Sequence, residues 1–318
     1  AKHFFAHYAF TARWGSLAPR FSNWISTTEP VKRSLQRLFG LDNRRALPAF
    51  SDQTLTRQAK TWLQRHPQTE STHDKVVLFA DSFTNYGHSE HGLALIKILH
   101  RLGIEVAVSA CVADGRAALS QGLIPTAQEQ AVQTYREMEA WINRGYTVLV
   151  IEPSVYALFE SDYSHLLPEA DFLHLKEHSM EAIAYLEQIL TRRPELRLQV
   201  FNAPKQEEHT VFFHGHCQQR SLGFAMPTQR LLASLGYRVL TSSVECCGMA
   251  GSFGYKEDYF PISERLGKQL VEQIQESVWE QAHPIVLASG TSCLEQLQAF
   301  GNTRPIHPLI FLESLLAD

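Results

Sequence analysis

Over the first 70 residues apolar positions recur at helical spacing, and from residue 75 the pattern changes to short solid apolar runs alternating with longer helical stretches. In the first part Val31, Leu35, Leu38 and Phe39 share one face, which predicts a helix over 31–39 stopped at Gly40. A second short helix is predicted over 55–63. The apolar run 76–79 then reads as a buried strand. Leu95, Leu99 and Leu102 mark a helix closed by Gly103, and 104–108 is a second strand. Val132, Tyr135, Met138 and Ile142 mark a longer helix ended by Gly145, and 147–151 is a third strand.

The same order returns after residue 210. Strands are predicted over 211–213, 237–240 and 285–288. Between them lie a helix with Leu231, Leu232 and Leu235, which has Pro227 near its start and Gly236 at its end, and another with Leu266, Leu270, Ile274 and Val278. His307 and Pro308 read as the end of one more short strand. Strands alternating with helices imply right-handed crossovers and parallel sheets. Gly103 and Gly236 are 133 residues apart, Gly115 and Gly248 are also 133 apart, and Ser154 and Ser292, each closing a third strand, are 138 apart. Landmarks in one order and nearly in register indicate an internal repeat. The expected fold is α/β: a helical N-terminal arm or connector over 1–70, then two similar parallel-sheet lobes, 71–205 and 206–318, related by pseudo-two-fold symmetry.

Composition narrows the function classes. The 318 residues are 44% hydrophobic, enough for a substantial core, and the formal net charge of -4 offers no basic excess for nucleic acid. No apolar run approaches the roughly 20 residues of a membrane-spanning helix. The first 14 residues lack the order of a secretory signal, and the chain does not begin with Met, so it reads as a piece of something longer. Five cysteines in a chain of this length do not make a disulfide scaffold, and a reducing cytoplasm is the expected compartment.

Four of those cysteines follow predicted strands of the second lobe: Cys217 after 211–213, Cys246 and Cys247 after 237–240, and Cys293 after 285–288. In an open parallel sheet the loops at the carboxyl ends of the strands share one edge, so three separate loops can bring four sulfurs together. Four thiolates suit an iron–sulfur cluster or zinc. Cys246 and Cys247 are poor partners for a mutual disulfide, because neighbouring α-carbons sit about 3.8 Å apart and a disulfide prefers about 5.5 Å. Gly248, Gly251 and Gly254 permit a turn whose amides reach sulfur. His214 and His216 flank the first thiol, as hydrogen-bond donors to the site or alternative ligands. The first lobe has Ser82, Ala113, Asp114 and Val155 where the second has its thiols, yet its edge stays polar, with Asp81, Thr84, Asn85, Arg116 and Glu152. Either this edge faces the other lobe and lines the site, or these residues only cap loops and pair with one another. Cys111 maps to a position without a thiol in the second lobe and reads as a bystander.

The segments His214-Gly-His-Cys217-Gln, Glu245-Cys-Cys-Gly-Met-Ala-Gly-Ser-Phe-Gly254-Tyr and Ser289-Gly-Thr-Ser-Cys293 resemble the cysteine-rich CCG module. They look most like its version at the C-terminus of FAD-linked iron–sulfur oxidoreductases of the D-lactate, glycolate and D-2-hydroxyglutarate dehydrogenase type. In the first lobe Asp81-Ser-Phe-Thr-Asn-Tyr86, Gly115-Arg116 with Ser120-Gln-Gly122, and Glu152-Pro-Ser154 resemble a degenerate first repeat, and residues 38–50 resemble a connector that follows a ferredoxin-like segment. That first repeat often keeps cysteines which this chain lacks, and Gly290 stands where the wider module often has another. The resemblance therefore implies one four-ligand site, Cys217, Cys246, Cys247 and Cys293, holding a 4Fe-4S cluster, with zinc as the alternative. It also implies that FAD sits on another part or subunit, that this chain contacts flavin- and ferredoxin-like domains and a downstream electron acceptor, and that the chain alone is inactive. A structural zinc module and a vestigial cluster site are the competing readings. A thiol–disulfide enzyme is disfavoured, since there is no Cys-x-x-Cys.

Overall fold

Val76, Val77 and Leu78 are all inaccessible to solvent, the condition of a strand covered on both faces. The computed structural model describes residues 2–67, 74–202, 209–278, 284–302 and 304–317. Helices come first: α1 (Lys2–Ala6), α2 (Tyr8–Gly15), α3 (Pro19–Ser26), α4 (Glu29–Phe39) and α5 (Leu55–Arg65). Helix α4 stops where the sequence predicts, at Gly40 in a left-handed conformation with φ 63°.

The first sheet is built from β1 (Lys75–Leu78), α6 (Ser82–Tyr86), α7 (Ser89–Arg101), β2 (Glu105–Val108), α8 (Arg116–Ser120), α9 (Ile124–Ile142), β3 (Thr147–Val150), α10 (Pro153–Glu160), α11 (Glu169–Glu177) and β4 (Ser179–Glu181). Its strands are all parallel, in the order β2-β1-β3-β4. Helices α12 (Ala182–Arg192) and α13 (Pro194–Val200) lead away from it. The second sheet follows from β5 (Thr210–His214), α14 (Cys217–Ser221), α15 (Ala225–Ser234), β6 (Arg238–Thr241), α16 (Phe260–Ser277), β7 (Ile285–Ala288), α17 (Thr291–Phe300) and α18 (Pro308–Ser314). It too is parallel, in the order β6-β5-β7. One parallel bridge, Leu287 to Ile306, extends it where β4 stands in the first. The repeat landmarks share backbone geometry: Gly115 and Gly248 adopt φ 89° and 91°, a region costly for any residue with a Cβ.

Strand residues alternate between two faces, and the alternation assigns the cores. Val76 and Leu78 of β1 and Val211 and Phe213 of β5 enter one apolar cluster, filled by Leu95 and Leu99 of α7, Leu186 of α12, Leu231 of α15 and Leu312 of α18. The two sheets therefore share a core through these helices. The opposite face of the first sheet, with Val77 and Phe79, packs on α9, α10 and α11. The opposite face of the second, with Phe212 and Val286, packs on α16 and α17, and this cluster contains Cys247 and Cys293.

Three elements differ from expectation. Strand β4 escapes the sequence pattern because Ser179-Met-Glu181 holds no apolar run. Helix α16 begins at Phe260, ahead of its apolar stripe, with Pro261 in its first turn. His307 ends no strand: only Ile306 makes a bridge, and His307 caps α18 by accepting the Leu309 N–H on Nδ1 at 3.1 Å. The expected domain boundaries at 70/71 and 205/206 lie outside the described residues. Among the described residues no helix is long and apolar enough to cross a membrane.

Candidate metal centre

The loops that follow β5, β6 and β7 open at one sheet edge, and they carry Cys217, the pair Cys246 and Cys247, and Cys293. Cys217 begins α14, capped by His216, whose Nδ1 accepts the Gln218 N–H at 3.3 Å and lies 4.0 Å from the Cys217 sulfur. Cys293 sits in the first turn of α17, its N–H bonded to Gly290 O at 3.0 Å. Between Cys247 and Met249 the chain turns at Gly248, whose N–H donates to the Cys246 sulfur at 3.3 Å. A Cβ at Gly248 would meet Ser263 O at 2.8 Å and Leu266 Cβ at 2.9 Å, so only glycine fits.

Side chains from neighbouring elements hold these loops. Gln273 Oε1 on α16 accepts from Ser242 Oγ at 3.0 Å and Ser243 N at 3.1 Å, and Arg220 Nη1 donates to Val244 O at 2.7 Å. Ser289 Oγ receives the His216 N–H at 3.2 Å and donates to Gln219 Oε1 at 2.6 Å. The four thiols are all free, and each shifts the titration of its neighbour: Cys217 with Cys246, Cys246 with Cys247, and Cys247 with Cys293. Hydrogen bonds from Cys217 and then Cys247 hold Cys246 far below the usual thiol range against the effect of burial, and the Gly248 amide adds to this. The hydrogen bond from Cys247 likewise holds Cys293 low, with help from His214 and His216. Cys217 and Cys247 are pushed up in turn.

Four thiols are a donor set suited to an iron–sulfur cluster or another soft metal centre. His214 is fully buried against Cys293, yet neither of its ring nitrogens is placed for a hydrogen bond with a described residue. Buried polar atoms without partners are rare, and here they border Cys293, as expected beside a site that receives a further group.

The six residues singled out in the sequence, Cys217, Cys246, Cys247, Cys293, His214 and His216, stand at or beside the carboxyl ends of β5, β6 and β7, and the polar residues singled out in the first sheet stand at its own carboxyl edge. Asp81 caps α6, with Oδ1 accepting from Phe83 N and Thr84 N at 2.9 Å each. Thr84 and Asn85 are buried beside it. Arg116 pairs with Asp162 and donates to Ser154 O at 2.8 Å. Glu152 does more than cap its own helix: it reaches across to Thr291 in the loop of Cys293. Gln121 Nε2 reaches Ser252 Oγ at 2.8 Å. The edge thus both caps its own loops and faces the second lobe. Cys111 lies apart from the other thiols, and burial pushes it up to about 12, away from metal-binding character. Arg45 has no motif of its own: its Nε donates to Gly254 O at 3.2 Å under the glycine-rich loop. The only sequence signal for it was the resemblance of residues 38–50 to a connector.

Residues 211–298 match the profile of the cysteine-rich domain CCG. They form a CCG domain. Along most of its length the chain is 26% identical, over 309 residues, to a subunit of the anaerobic glycerol-3-phosphate dehydrogenase of Escherichia coli, covering 95% of this chain and 74% of that one. It is 24% identical over 312 residues to the D-2-hydroxyglutarate dehydrogenase of Pseudomonas putida, covering 94% of this chain and only 29% of that protein. A third relative is a subunit of the fumarate reductase (CoM/CoB) of Methanothermobacter marburgensis, 24% identical over 206 residues, 63% of this chain and 38% of that one. The cysteine-rich region seen in the sequence is thus shared with subunits and domains of oxidoreductases.

Proposed function

We propose that this chain supplies an iron–sulfur electron-transfer site, held by Cys217, Cys246, Cys247 and Cys293, to a flavin-dependent oxidoreductase that oxidises a small D-2-hydroxy acid. The observation that carries the proposal is the set of four free thiols that three loops bring to one sheet edge, two of them buried in the apolar cluster of that lobe. A 4Fe-4S cluster bound there would accept and pass on single electrons. The chain's own residues hold the sulfurs at one edge, exclude water from Cys247 and Cys293 by apolar packing, and aim the Gly248 amide at Cys246. Amides directed at sulfur stabilise the more negative state of such a site. The relative named for D-2-hydroxyglutarate supports the hydroxy-acid class, and flavin belongs, on this reading, to a neighbouring domain or subunit.

Anaerobic reconstitution with iron and sulfide tests the assignment. The chain should take up both, with a broad visible absorption that bleaches on reduction. Cys246→Ser should remove that absorption, because serine is a poor ligand for a soft metal centre. Wild-type protein that takes up no iron, or a Cys246→Ser chain with an unchanged spectrum, would refute it.

A further inference from the structure

We propose that His88, Glu90 and His91 form a second metal site, for a divalent first-row transition ion, where the first lobe meets the second. The three residues lie in the run His88-Ser-Glu-His91 at the start of α7, and their donor atoms all fall within 4.8 Å of one another. The Glu90 carboxylate reaches both rings, with Oε1 3.4 Å from His88 Nδ1 and 3.7 Å from His91 Nε2. The rings stack nearly parallel, centroids 4.8 Å apart. His91 is 5% exposed, and its one charged neighbour within ion-pair distance among the described residues is Glu90. Glu90 is about half exposed, which leaves a path for an ion to enter and open positions for water.

Two imidazoles and one carboxylate are a donor set that first-row divalent ions accept, and it contains no sulfur, which separates it from the thiol centre. A helix N-terminus by itself disfavours a cation. Here Glu90 offsets that field, and the negative charges of Glu295 and Glu152 also act on His88. The site is joined to the thiol centre by packing. His91 stacks on His307 at 4.1 Å, His307 Nε2 donates to Ser289 O at 3.1 Å, and Ser289 Oγ holds the His216 N–H beside Cys217. An ion on His91 would thus brace the stack that supports the thiol loops.

Cobalt(II) is a suitable probe, because sulfur ligation gives an intense near-ultraviolet charge-transfer band and nitrogen–oxygen ligation does not. The metal-free full chain, titrated with cobalt(II), should bind one ion in a species with weak visible bands and no sulfur ligand, distinct from any thiolate-ligated cobalt at the cysteines, and its melting temperature should rise. His88→Ala and Glu90→Gln, both at accessible positions, should each weaken that binding by at least about tenfold, while Cys217→Ser leaves it unchanged. Absence of a sulfur-free cobalt(II) species in the wild-type chain would overturn the proposal. So would its survival in both site variants, or its loss in Cys217→Ser. None of these readouts depends on the thiol centre being loaded.

Discussion

Glu152 of the first lobe caps the helix that carries Cys293 in the second. Its Oε2 accepts the Thr291 N–H at 3.0 Å and the Thr291 hydroxyl at 2.7 Å, and its Oε1 accepts the Ser154 hydroxyl at 2.9 Å. Gly290, at the N-cap position of α17, offers no side chain for this. Burial alone would push the Glu152 carboxyl up, but His216 and the donors of Thr291 and Ser154 outweigh it and keep the group ionised. A carboxylate at a helix N-terminus complements the dipole there.

Glu152→Ala should therefore destabilise the chain by about 2–4 kcal/mol, since it strands the Thr291 and Ser154 donors in a buried place. Iron uptake on reconstitution should fall with it, because the turn bearing Cys293 loses its cap. Urea denaturation and iron analysis measure the two effects, and an unchanged midpoint would show that the contact does not bind the lobes.

Gly248→Ala should lose the metal centre. The left-handed φ of 91° and the approach of Ser263 O together cost about 2 kcal/mol or more, and relief requires the Cys246–Cys247 turn to move. The expected outcome is a lower melting temperature together with little bound iron. Iron content equal to wild type would mean that the turn is not fixed by this glycine.

Cys111→Ser should leave iron and sulfide content at the wild-type level, whereas Cys293→Ser should abolish both. Cys111 contacts Tyr86 in the first lobe and has no part in the group of four sulfurs. Metal analysis of the two variants side by side decides this, and a Cys111→Ser chain that lost its iron would place a ligand where none is expected.

Glu181 gives a pH dependence of known sign. Burial pushes its carboxyl from 4.5 up to about 8, so the folded chain keeps a proton that the unfolded chain releases. That stabilising contribution is complete below pH 4.5 and is lost as pH rises toward about 8. Glutamine keeps an oxygen able to accept the Ala184 N–H, which Glu181 receives at 2.7 Å. Glu181→Gln should thus match wild type in acid and exceed its stability by roughly 1–3 kcal/mol near pH 8. Urea midpoints followed across this range test it, and a pH-independent difference between the two proteins would contradict the assignment.

The sequence by itself determined most of the order of strands and helices, the parallel sheets and the edge on which the thiols stand. These follow from local causes. Apolar runs and helical stripes set the elements, glycines such as Gly40 and Gly115 fix turns through their own φ, and the handedness of crossovers makes the sheets parallel. Parallel strands then bring Cys217, Cys246, Cys247 and Cys293 to one edge without knowledge of any long-range contact. Tertiary structure alone decided which thiols would neighbour one another, that Arg45 would lie under Gly254, and that Glu152 would cap Thr291 from 139 residues away. It also decided that Val76 of β1 and Val211 of β5 share a core, and that Ser179-Met-Glu181 would serve as a strand. Periodicity encodes which face of an element is buried, but the partner it is buried against is chosen only when the lobes close, since hydrogen bonds and packing between distant segments leave no mark on neighbouring residues.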